Sequence, residues 1–399
     1  AKALISTNGK PHKYSTYKLR PICYASHIDS TIYSYYGHIL TSAYENYVIK
    51  HEIEKNSLAF RPSNGDKVSN IHHANNAFNK IGNGNLYTKL EKMMLLSLND
   101  TISKADFKIA DKTALLIATT KGNIDTLSKN NADFTPERAY LPVLGDKIKD
   151  FFGFKNTPII ISNACVSGIL SVAVAKRFIQ NNYYDNAFIV AGDIVSEFTL
   201  SGFQSFQAIS NKPCKPFSKH RNGITIGEAA ASVAISSQKS KTTNIQIIGD
   251  GSCNDANHIS GPSRNGEGLF KSIQSAIKEA NINPKNIDYI SAHGTATVFN
   301  DEMEAIAFNR TLLENTPLNS LKGYYGHTLG ASGLLEAIIG IQSLKNNTLY
   351  TSLGMDELGV SASLNIIQKK EKKEINTFLK TASGFGGCNT AVLFKKIDN

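Results

Sequence analysis

Residues 157–168, Thr-Pro-Ile-Ile-Ile-Ser-Asn-Ala-Cys-Val-Ser-Gly, constrain the fold of this chain more than any other stretch. The β-branched run Ile159, Ile160, Ile161 stops at Asn163-Ala164-Cys165, and the small and apolar residues that follow have the length and composition of a buried helix. A buried strand that turns straight into a buried helix belongs to a layered α/β protein, and it leaves Cys165 at the turn. Unpaired N–H groups and the macrodipole at a helix start favour negative charge by ~0.3–1 kcal/mol, and up to ~2 where partly buried. The expectation is a thiol displaced toward thiolate, a nucleophile. The alternative is one more small core residue, and the rest of the chain decides between them.

Further buried strands repeat the pattern. Residues 113–119 read as a strand running into the turn Lys121-Gly122-Asn123, and residues 186–193 as another ending in a glycine turn. Gly227-Glu228 leads into a strand that ends near residue 235, and the hydrophilic residues 236–244 read as a hinge. Beyond it, a helix over 269–280 ends before Pro284, and the strand 287–292 delivers His293-Gly294-Thr295-Ala296-Thr297 into a loop. The glycine-rich residues 321–333, with Lys322 and His327, feed a helix over 334–344. Residues 381–389 read as a tight glycine loop before a strand over 390–394. Strands alternating with helices predict largely parallel sheets. Two similar halves are expected, 1–240 carrying Cys165 and 241–399 carrying the two histidines.

Composition narrows the function classes. At 399 residues and 41% hydrophobic content the chain can bury a large core. Lys plus Arg less Asp plus Glu is 43 − 33 = +10, which favours acidic partners. The charges are scattered, however, and the densest run, residues 369–374, mixes signs like a solvated face. No aromatic and basic repeat points to nucleic acid. The five cysteines, Cys23, Cys165, Cys214, Cys253 and Cys388, are far apart and form no Cys-x-x-Cys pair, which argues against a disulfide framework or zinc site and suits a reducing cytosol. No run reaches the ~18 apolar residues of a membrane span, and residues 1–14 lack the apolar centre of a signal peptide. A cytoplasmic protein is expected. Residues 1–100 are rich in Asn, Lys, Ser and Tyr, with helical periodicity only in patches such as 86–98, and give no function. His72-His73 lacks a third ligand and reads as loop rather than metal site.

Cys165, His293 and His327 are each delivered by a buried strand or a glycine turn, and together they weigh more than any one of them alone. The arrangement resembles the β-ketoacyl-acyl carrier protein synthases of the thiolase fold, in the elongating branch with one Cys and two His. The resemblance runs from about residue 113 to 396 and rests on five signatures in order. These are Ala164-Cys165 before Ser167-Gly168, Pro216-Phe217 to Gly227-Glu228, and His293-Gly294-Thr295 with Asp301 and Glu304. Lys322 with Gly326-His327-Thr328 and Gly330-Ala331 is the fourth, and Gly384-Phe385-Gly386-Gly387 before Asn389 the fifth.

The resemblance implies a layered αβαβα arrangement and a decarboxylative Claisen condensation. An acyl group is loaded on Cys165, malonyl on an acyl carrier protein loses CO₂, and the enolate attacks the thioester. By the same match the backbone N–H groups of Cys165 and Phe385 form the oxyanion hole, and His293 and His327 act as neutral Nε2–H donors to the enolate. Lys322 lies behind them, paired with Glu336. Thr295 and Thr297 hydrogen-bond the pantetheine arm, and Phe203 and Phe385 line the acyl tunnel. No cofactor or metal is implied beyond the carrier's phosphopantetheine, and the partners implied are a carrier protein and a second subunit, identical or related.

The chain departs from the family in places. Thr381-Ala382-Ser383 and Cys388 stand where the family loop has Asn-Ser-Phe and Thr, and the family's opening strand with its Thr-Gly-x-Gly turn is not recognisable in residues 1–60. A specialised lipid, polyene or polyketide pathway fits these departures. Three rivals remain. A thiolase would join acyl groups without decarboxylation, with Cys388 as its base. A non-catalytic chain-length subunit would lack the nucleophile that Cys165 supplies. A hydrolase would want glycine two positions either side of the nucleophile, where this chain has Asn163 and Ser167.

Overall fold

A computed structural model describes residues 86–128, 133–239 and 245–397. His72, His73 and Cys23, with residues 240–244 of the expected hinge, lie outside the described residues.

The first helix, α1 (Lys89–Lys104), starts at a capping box. Thr88 Oγ1 accepts from the Glu91 N–H, and the Glu91 carboxylate accepts from the Thr88 N–H. It is followed by β1 (Thr113–Ala118), α2 (Leu141–Phe152), β2 (Ile159–Ile161), α3 (Ser167–Gln180), β3 (Asn186–Asp193), α4 (Glu197–Ser205) and β4 (Ala229–Ser236). The four strands form one sheet in the order β2-β1-β3-β4, parallel, parallel, then antiparallel. The second sheet is built from β5 (Ile245–Asn254), β6 (Tyr289–Ser291), β7 (Leu318–Asn319), β10 (Thr377–Gly384) and β11 (Cys388–Lys396), while β8 (Thr348–Leu349) and β9 (Glu371–Lys372) form a separate ribbon. Between these strands run α5 (Glu267–Ala280), α6 (Val298–Arg310), the short α7 (Lys322–Tyr325) and α8 (Ser332–Asn346).

Read from β7, the second sheet runs β7-β6-β10-β11 with the same sequence of directions as β2-β1-β3-β4, and β5 adds an antiparallel edge beside β11. Strand alternation sorts side chains to the two faces of the first sheet. Leu116 and Ile189 turn toward α3 and α8, while Leu115, Ile117 and Phe188 turn toward α1 and α2. The middle core joins Val172, Leu334 and Ala337 to Ala382 and Val392 of the second sheet. On that sheet's far face Leu269, Ile273, Met303 and Phe308 of α5 and α6 meet Leu379 and Leu393. This is the αβαβα layering of the thiolase-like fold.

Three glycines fix the closest approaches. A Cβ on Gly168 would fall 2.6 Å from the Gly330 carbonyl oxygen, so the starts of α3 and α8 touch and carry the Cys165 and His327 turns together. Strand β5 has no clear apolar alternation in the sequence because Gly249 and Gly251 sit under α5, where added Cβ atoms would meet the Ala276 and Ser272 carbonyls at 2.2 and 2.1 Å. The loop expected over 381–389 is narrower than its composition suggests. Residues as far as Gly384 continue β10, and only Phe385, Gly386 and Gly387 form the turn into β11.

Candidate active site

Ser167 builds the turn that carries Cys165. Its Oγ donates to the Ala164 carbonyl at 2.7 Å and accepts from the Asn163 N–H at 2.8 Å, while Ala164 takes a left-handed φ of 43°. Cys165 is 7% exposed. Burial is the largest influence on its thiol and Cys388 adds to it, against the pull of Lys322 and Lys121, so the thiol is pushed up to about 12. The expected displacement toward thiolate is overturned. Desolvating a thiolate opposes ionisation more strongly here than the helix start favours it.

His293 follows β6 and is held from behind by α6. Glu304 accepts the N–H groups of His293 and Gly294 at 2.8 and 2.6 Å, and Asp301 accepts those of Thr295 and Phe217 at 2.9 and 2.7 Å. Spaced three apart on one helix, the two carboxylates clamp successive peptides of the loop. Burial pushes Asp301 up to about 6 and Glu304 up to about 7, the latter also through the Asp301 charge. The Lys322 Nζ lies 3.3 Å from His293 Nδ1, donates to the His293 carbonyl at 2.5 Å and pairs with Glu336 at 2.7 Å. The expected pairing of Lys322 with Glu336 is present.

His327 is positioned by the turn before α8. Its Nδ1 lies 2.9 Å from Ser332 Oγ and accepts the Leu329 N–H at 3.3 Å. Its backbone N–H donates to the Thr225 carbonyl, and Gly227 donates back to the His327 carbonyl at 3.0 Å. Gly227 is required there, since a Cβ would fall 2.1 Å from the Tyr325 carbonyl. A lysine ammonium and a peptide N–H can only donate, so Nδ1 of each ring is an acceptor and the proton sits on Nε2. Burial, then Lys322 and further neighbouring cations, holds both histidines well below the ordinary 6.5. Each is therefore a neutral ring with a donor face.

Sγ of Cys165 and a ring nitrogen of each histidine lie within 4.8 Å of one another, and the two ring centroids are 5.2 Å apart. Nε2–H faces are poor metal ligands, because a ligating nitrogen needs its lone pair free. Those three residues open on a cavity of about 520 Å³ that Thr295, Thr297, Phe203, Ser383 and Phe385 also line. Thr295 and Thr297 share a hydrogen bond of 2.9 Å. Phe203 stacks on Phe385 with centroids 5.5 Å apart, and Phe206 meets Phe385 edge-on at 5.2 Å. A Cβ on Gly384 would lie 3.0 Å from the Cys165 nitrogen, so the Phe385 turn approaches the Cys165 amide as closely as glycine permits. Cys388 is turned away, its thiol toward the Phe385 and Asn163 carbonyls at 3.3 and 3.8 Å, and burial pushes it up to about 11.

This order of elements is that of a known family. The description "Beta-ketoacyl synthase, N-terminal domain" matches residues 92–240, and "Beta-ketoacyl synthase, C-terminal domain" matches residues 244–356. The chain belongs to the β-ketoacyl synthase family. It is 29% identical over 263 residues to "3-oxoacyl-[acyl-carrier-protein] synthase 2" of Coxiella burnetii, a match covering 62% of this chain and 63% of that protein. A "3-oxoacyl-[acyl-carrier-protein] synthase homolog" of Saccharomyces cerevisiae is 29% identical over 350 residues, covering 80% of this chain and 79% of the relative. Among solved structures, the ketosynthase in complex with its chain length factor from Xenorhabdus doucetiae superposes with a TM-score of 0.70 at 25% identity, over 78% of this chain and 82% of that one. The match to the Coxiella synthase spans less than two thirds of that relative's length.

Three residues of this synthase-family site escaped the sequence reading. Ser332 orients His327 but is an unremarked serine at a helix start. Asp193 accepts from Thr119 Oγ1, the Thr120 N–H and the Gly330 N–H, tying β1 and β3 to the His327 turn. Lys380 is fully buried in β10 beside Glu336. Its signal was a lone charge within the apolar run Phe378-Leu379-Lys380-Thr381-Ala382. Among the described residues, no helix is long and apolar enough to cross a membrane.

Proposed function

We propose that this chain catalyses decarboxylative condensation of an acyl group bound to Cys165 with malonyl carried on an acyl carrier protein. The observation that carries the reading is the meeting, at one cavity, of a buried thiol and two neutral imidazoles whose Nδ1 atoms are already occupied. In the first half-reaction the Cys165 sulfur attacks the carrier thioester. The tetrahedral oxyanion is held by the N–H groups of Cys165 and Phe385, and the thiol proton passes to the departing carrier thiolate. In the second, the C–C bond to the malonyl carboxylate breaks and CO₂ leaves. The enolate oxygen accepts from Nε2–H of His293 and His327, preorganised donors that are worth far more in a dry site than in water. The enolate carbon then attacks the Cys165 thioester and expels the sulfur as thiolate, which takes up a proton from solvent.

Lys322 and Glu336 support His293, Thr295 and Thr297 receive the pantetheine arm, and Phe203 and Phe385 border the acyl chain. The division into a cysteine half (1–240) and a histidine half (241–399) is supported by the two domain matches, which end at 240 and resume at 244. The relatives' names support an acyl carrier as partner, and the Xenorhabdus complex supports pairing with an identical or related subunit. The location that suits carrier-bound substrates and unpaired thiols is the cytoplasm. The thiolase reading is disfavoured by Cys388, whose thiol points at backbone carbonyls rather than into the cavity.

The test is CO₂ release from carboxyl-labelled malonyl carrier, measured beside the mass added to the protein by acyl carriers. Acylation at Cys165 with CO₂ release is expected. Condensation without CO₂ would hand the site to the thiolase.

A further inference from the structure

The buried cation Lys380 has no part in the reaction just described. Its Nζ is 2.5 Å from Glu336 Oε2, while Lys322 takes Glu336 Oε1 at 2.7 Å, so one carboxylate bridges two ammonium groups. All three side chains are fully buried. Lys380 also donates to the carbonyls of Ser291 and Ala292 at 3.1 and 3.3 Å, and Lys322 to the next carbonyl, that of His293. Three successive carbonyls at the end of β6 thus face two cations. Within the Lys322–Glu336–Lys380 set the second lysine is one cation beyond the carboxylate, and burial opposes its charge while Glu336 and the buried Glu304 favour it. Burying an extra charge is expensive, and an apolar residue of similar size is often neutral or stabilising in such a place. Packing alone does not account for Lys380.

The geometry points to Lys380 as a positioning residue that fixes Glu336, and through it the Lys322–His293 pair, so that His293 meets the developing enolate as a neutral Nε2–H donor. This rests on the condensing reading above. The groups facing His293 are Lys322 from α7, Glu336 from α8, Glu304 and Asp301 from α6, Lys380 from β10, and His327 and Cys165 across the cavity. The charges of Lys322 and Lys380 both oppose protonation of His293 and of His327. Removing the Lys380 charge takes the Lys-Glu-Lys set from +1 to 0, and the sign is then fixed: the imidazoles accept a proton at higher pH.

The experiment compares wild type, Lys380→Met, and Lys380→Met with Glu336→Gln, which restores +1 through Lys322 alone. Two quantities are read: the titration of the histidine rings by NMR, which needs no activity, and CO₂ release against acyl-enzyme formation from pH 6 to 8. Lys380→Met is expected to raise the His293 titration midpoint by about one pH unit. CO₂ release should fall roughly tenfold, as on loss of an outer partner behind a metal-held imidazole, and more at pH 6 than at pH 8, with acylation of Cys165 little changed. The double variant should move the titration back toward wild type. If Lys380→Met does not fold, Lys380→Gln, which can still donate to Glu336 without charge, is read the same way. An unmoved His293 titration, or equal loss of both half-reactions at every pH, overturns the proposal. A wild type that releases no CO₂ overturns the condensing reading instead, while the titration still decides Lys380.

Discussion

Cys165 lies between β2 and α3 and His327 between β7 and α8, and β2 and β7 hold the same place in their sheets. The two turns share a scaffold and differ in what lies behind them. Behind Cys165 are small residues and a hydroxyl, Ser167, closing a strained turn. Around His327 and its neighbour His293 are Lys322, Lys380, Glu336, Asp301 and Glu304, all buried. As the proposed nucleophile, Cys165 is stripped of solvent by packing and presented at an angle that the hydrogen bonds of Ser167 fix. In the proposed mechanism the histidines hold one tautomer and refuse a second proton, which burial opposes first and the neighbouring lysine charges reinforce, while Lys322 at His293 and the Leu329 N–H at His327 occupy Nδ1. Repeating a fold twice therefore supplies geometry to both halves, while the larger set of buried charges surrounds the histidines, with Lys121 and Asp193 of the first half acting on the site from the other side.

The comparison breaks most visibly if the halves are disabled one at a time. His293→Ala or His327→Ala should lower CO₂ release by roughly two to three orders of magnitude, the usual cost of one donor to a developing oxyanion. Acyl-enzyme formation should fall much less. Cys165→Ala should form no acyl-enzyme yet still decarboxylate malonyl carrier slowly. Radiolabelled CO₂ and intact-protein mass measure both, and equal loss of the two activities in either histidine variant would mean that the halves do not divide the work.

A smaller effect sharpens the cysteine side. With the thiol pushed up to about 12, Cys165 stays protonated through neutral pH, and its thiolate fraction rises tenfold for each pH unit below that value. Alkylation of Cys165 by iodoacetamide, followed by peptide mass spectrometry, should therefore climb about tenfold per unit between pH ~7 and ~9 without levelling. A plateau near pH ~8 would show that the helix start and the two nearby lysines outweigh burial after all.

The smallest effect concerns Cys388. Since its thiol is directed at the Phe385 and Asn163 carbonyls, Cys388→Ser keeps a donor in place, and condensation should stay within about threefold of wild type, the scale of one neutral hydrogen bond. Loss of activity beyond a hundredfold would return the thiolase reading to contention.

The order of strands and helices along the chain, and the three candidate positions at their ends, could be read from the residues alone. Buried strands announce themselves as β-branched runs, as at Ile159 to Ile161, and the turns after them are marked by glycine and small polar residues, so Cys165, His293 and His327 were legible as a set rather than singly. Lys322, Glu336 and Phe385 came from the resemblance; Lys322 pairs with Glu336, and Phe385 lines the cavity that Cys165 and both histidines reach. Tertiary structure alone decided the rest. Periodicity records which face of an element is apolar but not what lies opposite. The glycine-interrupted β5, the confinement of the last turn to Phe385, Gly386 and Gly387, and the second cation at Lys380 were therefore invisible until the layers were stacked. The ionisation of Cys165 was misjudged for the same reason. A helix start is a local feature that a sequence displays, whereas desolvation is the sum of everything that closes over the sulfur, and here the sum is larger.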